Sequence, residues 1–127
     1  MKKYFNYIVI FLVAIALVLF ILRTKTICDD MDAKKIYGIL YLLNKKTPFT
    51  GRSLCIWDIS DKKWYEGYYK DGLKDGIWTF WDRNGQIKSE TNYTEGQKHG
   101  KKIIYNNKGN RSKEFNCSND VCLEVVP

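Results

Sequence analysis

Four cysteines carry the most definite chemistry in this chain: Cys28, Cys55, Cys117 and Cys122. An even number of thiols in a short chain suits disulfides when the segment lies in an oxidising compartment. Three pairings are possible for four thiols. In a reducing compartment the same residues would stay free. A zinc site fits less well. Cys117 and Cys122 have four residues between them, wide for a zinc knuckle, and the chain holds one histidine, His99.

His99 is the one side chain suited to proton transfer near neutral pH. It has no paired Ser or Cys motif and lies between Gly96 and Gly100, where a solvated turn residue is expected. A hydrolase using His99 is therefore the weakest functional reading. The acidic residues sit in turns or alternate with lysine, as solvating and ion-paired groups do. No phosphate loop, dinucleotide fingerprint or metal-spaced cluster is present. No enzyme activity, metal or cofactor is expected.

Aromatic residues offer a different chemistry, that of recognition. Trp57, Trp81 and Tyr105 recur every 24 residues. On a sheet they should stack as a ladder on one face, with Trp78 and Phe80 on the other. A single-layer sheet has little interior, so each face is either capped by the chain's own ends or open to a partner.

The elements that would position these residues form a repeat. Residues 67–90 read GYYKDGLKDGIWTFWDRNGQIKSE, and residues 91–114 read TNYTEGQKHGKKIIYNNKGNRSKE. Six positions are identical without gaps: Tyr69/Tyr93, Gly72/Gly96, Lys74/Lys98, Gly76/Gly100, Gly85/Gly109 and Glu90/Glu114. The glycines recur as turn makers, since glycine accepts positive φ without steric cost. Gly72 and Gly76 would bracket one turn, as would Gly96 and Gly100. Ile77–Trp81 is β-branched and aromatic, and Asn84-Gly85 supplies a tight hairpin turn. Ile87–Tyr93 alternates in the manner of a strand with one solvated face. A weaker copy, about 40–66, precedes these two. Asp61 stands there in place of Gly85, so that turn must use different geometry. Thr47–Gly51 makes a longer turn, and Leu40-Tyr41-Leu42 would be the strand before it. A period of this length indicates a linear array in which neighbours bury each other's faces.

The pattern Tyr69-Lys-Asp-Gly72-Leu-Lys-Asp-Gly76 and Tyr93-Thr-Glu-Gly96-Gln-Lys-His-Gly100, each followed by an aromatic or aliphatic strand, resembles MORN repeats. The added Asn84-Gly85 and Lys108-Gly109 turns resemble the bacterial MORN-like variant. The resemblance covers about 80 of the 127 residues. It implies a mainly β fold of stacked hairpins in an elongated antiparallel sheet. It also implies a scaffold, or a module contacting proteins or lipids, rather than a catalyst. Proteins of the bacterial variant are often labelled antitoxin components.

Array geometry ranks the cysteine pairings. Cys55 and Cys117 would lie several strands apart, about 20 Å at ~4.8 Å per strand. A disulfide needs Cα atoms within about 7 Å. Cys28–Cys55 with Cys117–Cys122 is the pairing that leaves the sheet uncurled.

The formal charge of +7 invites a nucleic-acid reading. Position argues against it. Lys2, Lys3, Arg23 and Lys25 flank an apolar N-terminal run, which leaves 17 basic and 14 acidic residues, a net of +3. Those charges are interspersed, whereas a nucleic-acid face clusters them. The run Ile8–Leu22 is 15 apolar residues, and Tyr4–Leu22 is 19. At about 1.5 Å per residue that length roughly crosses the ~30 Å hydrocarbon core. Arg23 and Lys25 sit where charge hinders signal cleavage, and Ile27 before Cys28 does not suit lipidation. An uncleaved signal anchor is favoured over a cleaved signal. The free amino terminus with Lys2 and Lys3 places the N-terminus inside and the rest outside a bacterial-type cytoplasmic membrane.

The expected organisation is an anchor over 1–25, a linker or cap over 26–37, a repeat domain over 38–117 and a tail over 118–127. The expected role is a non-enzymatic binding or scaffold module with a protein partner. The alternatives are an antitoxin or immunity protein, or a binder of anionic headgroups through lysine-rich turns such as Lys98, Lys101 and Lys102.

Overall fold

A computed structural model describes residues 2–23 and 25–126. Met1, Thr24 and Pro127, which fall in the expected anchor and tail, lie outside the described residues. The described residues form one long helix, one helical turn and nine strands, mostly in one antiparallel sheet.

Helix α1 spans Lys2–Arg23. Its composition leaves no polar stripe to distinguish a core-facing side. Accordingly no side chain from Lys3 to Phe20 is buried. An N-terminal apolar helix of this kind serves as a membrane anchor or a signal sequence.

The short helix α2 (Asp29–Asp32) leads into β1 (Ala33–Ile36) and β2 (Ile39–Leu42), which form a separate two-stranded sheet. The main sheet runs β3 (Gly51–Ile56), β4 (Lys63–Lys70), β5 (Leu73–Trp81), β6 (Ile87–Thr94), β7 (Gln97–Tyr105), β8 (Arg111–Ser118) and β9 (Val121–Glu124). Its seven strands lie in sequence order, each paired to the next. The structure corrects two expectations, the place of the Leu40–Leu42 strand and the extent of the tail. The strand expected at Leu40–Leu42 does not join the main sheet. It folds back as a hairpin over one face, because Leu40 buries there and its amide bonds Gly72 O at 2.9 Å. The 26–37 segment, expected as a linker or cap, lies against the sheet through Ile27, Cys28 and Asp29. The expected tail contains β9, which extends the sheet.

Two kinds of turn alternate along the sheet. At one end Asp71-Gly72, Glu95-Gly96 and Asn119-Asp120 each take positive φ at both residues. That is the pattern of two-residue hairpin turns whose twist matches the strands. At the other end Asp82 and Asn106 do the same work. Each accepts two backbone amides on its side chain, from Asn84 and Gln86 and from Lys108 and Asn110. The β3–β4 turn differs as expected. Its closing bond joins Trp57 N to Lys62 O, one residue longer than Asp82 N to Gln86 O, and Asp61 takes φ 51°.

Gly76 and Gly100 do not close turns. They lie within β5 and β7 where the register shifts against β4 and β6. The two-residue turn leaves them in the strand, and the irregularity uses their positive φ. Opposite Gly76, Gly67 lies under the Trp78 ring. A Cβ there would stand 2.1 Å from Trp78 Cδ2, so the ring needs glycine beneath it.

Candidate functional site

Antiparallel partners share a face, so the register defines two surfaces. One carries Cys55, Tyr65, Phe80, Ser89, Ile104 and Lys113 in a row across the sheet. The other carries Leu54, Glu66, Thr79, Glu90, Ile103 and Glu114.

The first face is covered over β3–β5 by the segment that comes after α1. Ile27, Leu40 and Phe49 pack there with Cys55, Tyr65, Tyr69 and Trp78. Trp78 is 0% exposed and its ring meets Tyr69 edge-on at 5.0 Å. Asp29 ties cover to sheet. Tyr69 Oη donates to Asp29 Oδ2 at 2.7 Å, and Ser53 Oγ donates to Asp29 Oδ1 at 2.7 Å. Burial, reinforced by the Asp29 carboxylate, pushes the phenols of Tyr65 and Tyr69 well above the ordinary tyrosine range. Sequence reading did not single out Asp29, since its partners are distant in the chain. The Cys28–Cys55 disulfide staples the same cover, and Cys117–Cys122 joins β8 to β9. Both bonds are those ranked first by array geometry.

Lys74 was also missed as more than a repeat identity. Its Nζ lies 4.2 Å from the Trp78 ring centre and 5.1 Å from that of Tyr93. Burial lowers its pKa, with Lys35 and Lys98 adding repulsion and Asp29 opposing. The aromatic faces offset part of the hydration the ammonium loses.

The second face has no such cover from described residues, and it carries Trp81 and Tyr105. The expected ring ladder does not form. No two of Trp57, Trp81 and Tyr105 make a ring pair among the described residues. The reason is the period itself: 24 residues are two strands, so these positions are about 9.6 Å apart, and ring pairs need about 4.5–7 Å. Other side chains fill the gaps. Trp57 has left β3 and stacks on Trp64 at 4.8 Å, with the Arg83 guanidinium at 4.9 Å. Lys63 Nζ sits 5.1 Å from the Trp81 ring. Tyr105 Oη donates to Glu90 Oε2 at 2.6 Å, which raises the phenol pKa.

The carboxylates of this face are held in the same way. Glu66 accepts from Arg52 Nε at 2.9 Å and from Lys63 Nζ at 2.7 Å. Partial burial pushes the Glu66 carboxyl up, but those two cations outweigh it and hold the group below its ordinary value. Lys101 pairs with Glu114 at 3.1 Å. Arg52, Glu66, Tyr68, Ile77 and Thr79 line a shallow depression beside this row, with Ile77 64% exposed.

The lysine-rich turn does not exist as such. Lys98, His99, Lys101 and Lys102 lie in β7. Strand alternation sends Lys101 to the open face and Lys102 to the other, where its Nζ lies 5.4 Å from the Phe115 ring. Among the described residues, no three His, Cys, Asp or Glu side chains gather as a metal site requires. No family model, curated protein or solved structure matches this chain.

Proposed function

We propose that the chain is a non-enzymatic, membrane-anchored binding module of the bacterial MORN-repeat-like type, displayed outside the cytoplasmic membrane and docking a protein on its open sheet face. The observation that carries this reading is the asymmetry of the sheet. Over β3–β5 one face is filled by the chain's own N-terminal segment, while the opposite face leaves Ile77, Trp81 and Tyr105 beside pre-paired charges. Aromatic rings with held ion pairs suit protein recognition, because little ordering remains to be done on binding. The repeat-family assignment is supported by the two turn types returning at 24-residue intervals. The anchor is supported by α1 and by the two disulfides, which belong to an oxidising compartment.

A photo-crosslinking residue at Ile77 or Thr79 in intact cells tests the docking face. A discrete protein adduct is expected from both positions and none from Lys108 in the far turn. The adduct should disappear when Trp81→Ala and Tyr105→Ala are combined. No adduct from Ile77 or Thr79, or an adduct indifferent to the aromatic substitutions, sinks the proposal.

A further inference from the structure

The two edges of the main sheet are finished differently. The β3 edge is covered: Ile27 N donates to Arg52 O at 3.1 Å, and Leu54 N donates to Ile27 O at 2.8 Å. The Cys28–Cys55 bond fixes that cover. Beyond β9 there is no further strand among the described residues. Val125 N donates to Glu114 O at 2.8 Å, which makes Val125 an inward-bonding residue. Inward and outward bonding alternate along an antiparallel edge, so Leu123 and Val121 also bond inward. Cys122 and Glu124 therefore turn their amides and carbonyls outward. This edge has none of the lysines, prolines or bulges that discourage pairing between Val121 and Val126. Val121 is 65% exposed and Leu123 71%, both on the face shared with Glu114.

We propose that β9 is a self-association edge, at which two copies of this chain pair antiparallel with Leu123 opposite Leu123 of the partner subunit. Outward groups must meet outward groups, which leaves three centred registers along so short a strand. Centring on Cys122 sets Glu124 against the partner's Asp120. Centring on Glu124 sets that carboxylate against its own copy. Like charges directly opposed are destabilising. Centring on Leu123 sets Cys122 against the partner's Glu124 and opposes no charges. It also gathers Val121, Leu123 and Val125 of both copies on one face. The two seven-stranded sheets become continuous. The dyad is perpendicular to the sheet, so two copies anchored in one bilayer satisfy it with the sheet lying along the membrane surface. The pairing needs neither the anchor nor the open-face partner, so it stands or falls apart from both.

The full chain, purified in detergent, tests it. Light scattering of the wild type should give a protein mass twice that of one chain. In the proposed register residue 123 forms a non-hydrogen-bonded pair, with Cα atoms about 4.5 Å apart, within disulfide reach. Leu123→Cys should accumulate as a covalent dimer on mild oxidation, with the bond mapped to position 123. Val121→Cys and Val125→Cys should each stay uncrosslinked alone and crosslink when mixed. Leu123→Lys should lose the dimer while keeping the β signal in circular dichroism. A monomeric wild type overturns the proposal, as does crosslinking of Leu123→Cys no greater than that of Val125→Cys alone.

Discussion

Asp29 gives a charged residue a structural task far from its place in the chain. Its carboxylate receives Tyr69 Oη and Ser53 Oγ, and so draws the segment after α1 onto the sheet. The raised phenols of Tyr65 and Tyr69 have a consequence for pH. In the unfolded chain tyrosines ionise near pH 10, while these two stay protonated in the fold. Stability is then full below about pH 10 and falls as the pH rises past it. Tyr69→Phe removes one contribution, so its stability should fall less steeply above pH 10. At neutral pH the variant should be weaker by about 1.5–3 kcal/mol, the scale of a hydrogen bond to a charged group. Circular dichroism melts from pH 7 to 11 measure both. An equal alkaline slope in the two proteins would mean that Tyr69 carries none of the alkaline loss.

At the scale of elements, the two disulfides close loops of unequal length. Cys28–Cys55 spans 27 residues and Cys117–Cys122 spans 5. Loop-closure entropy assigns about 3–4 kcal/mol to the longer loop and about 2 kcal/mol to the shorter. The longer bond also holds the cover that buries Ile27, whereas the shorter joins strands already paired by backbone bonds. Replacing Cys28 and Cys55 by serine should therefore cost more than replacing Cys117 and Cys122. Urea unfolding of the two double variants gives the comparison directly. Equal losses would mean that the cover is held by its packing and by Asp29 alone.

For the whole molecule, α1 and the disulfides carry the placement. An apolar helix with no buried side chain from Lys3 to Phe20 fits an anchor or a signal sequence, and bonded cysteines suit an oxidising compartment for the sheet beyond it. The anchored reading expects the expressed chain to stay in the membrane pellet through an alkaline carbonate wash. Intact-mass measurement should find α1 still attached. Protease added to spheroplasts should reach residues beyond α1. A soluble product beginning near Thr26 would instead make α1 a cleaved signal.

The local patterns were legible because they are local. The apolar run fixes α1, alternation and aromatic content fix β4–β8, and Asp71-Gly72 and Glu95-Gly96 fix their turns through the φ they need. Periodicity also ordered the strands closely enough to rank the cysteine pairs. It misplaced Gly76 and Gly100, because a two-residue turn and a longer one share the same glycines and differ only in pairing. It brought Trp57, Trp81 and Tyr105 together because equal spacing in sequence says nothing of the strand that lies between. Which face would be covered was decided only in three dimensions, by Leu40, Phe49 and Asp29 reaching residues 20 to 40 positions away. Alternation gives a strand two faces and a register, but the choice between those faces belongs to the long-range contacts that bury one of them.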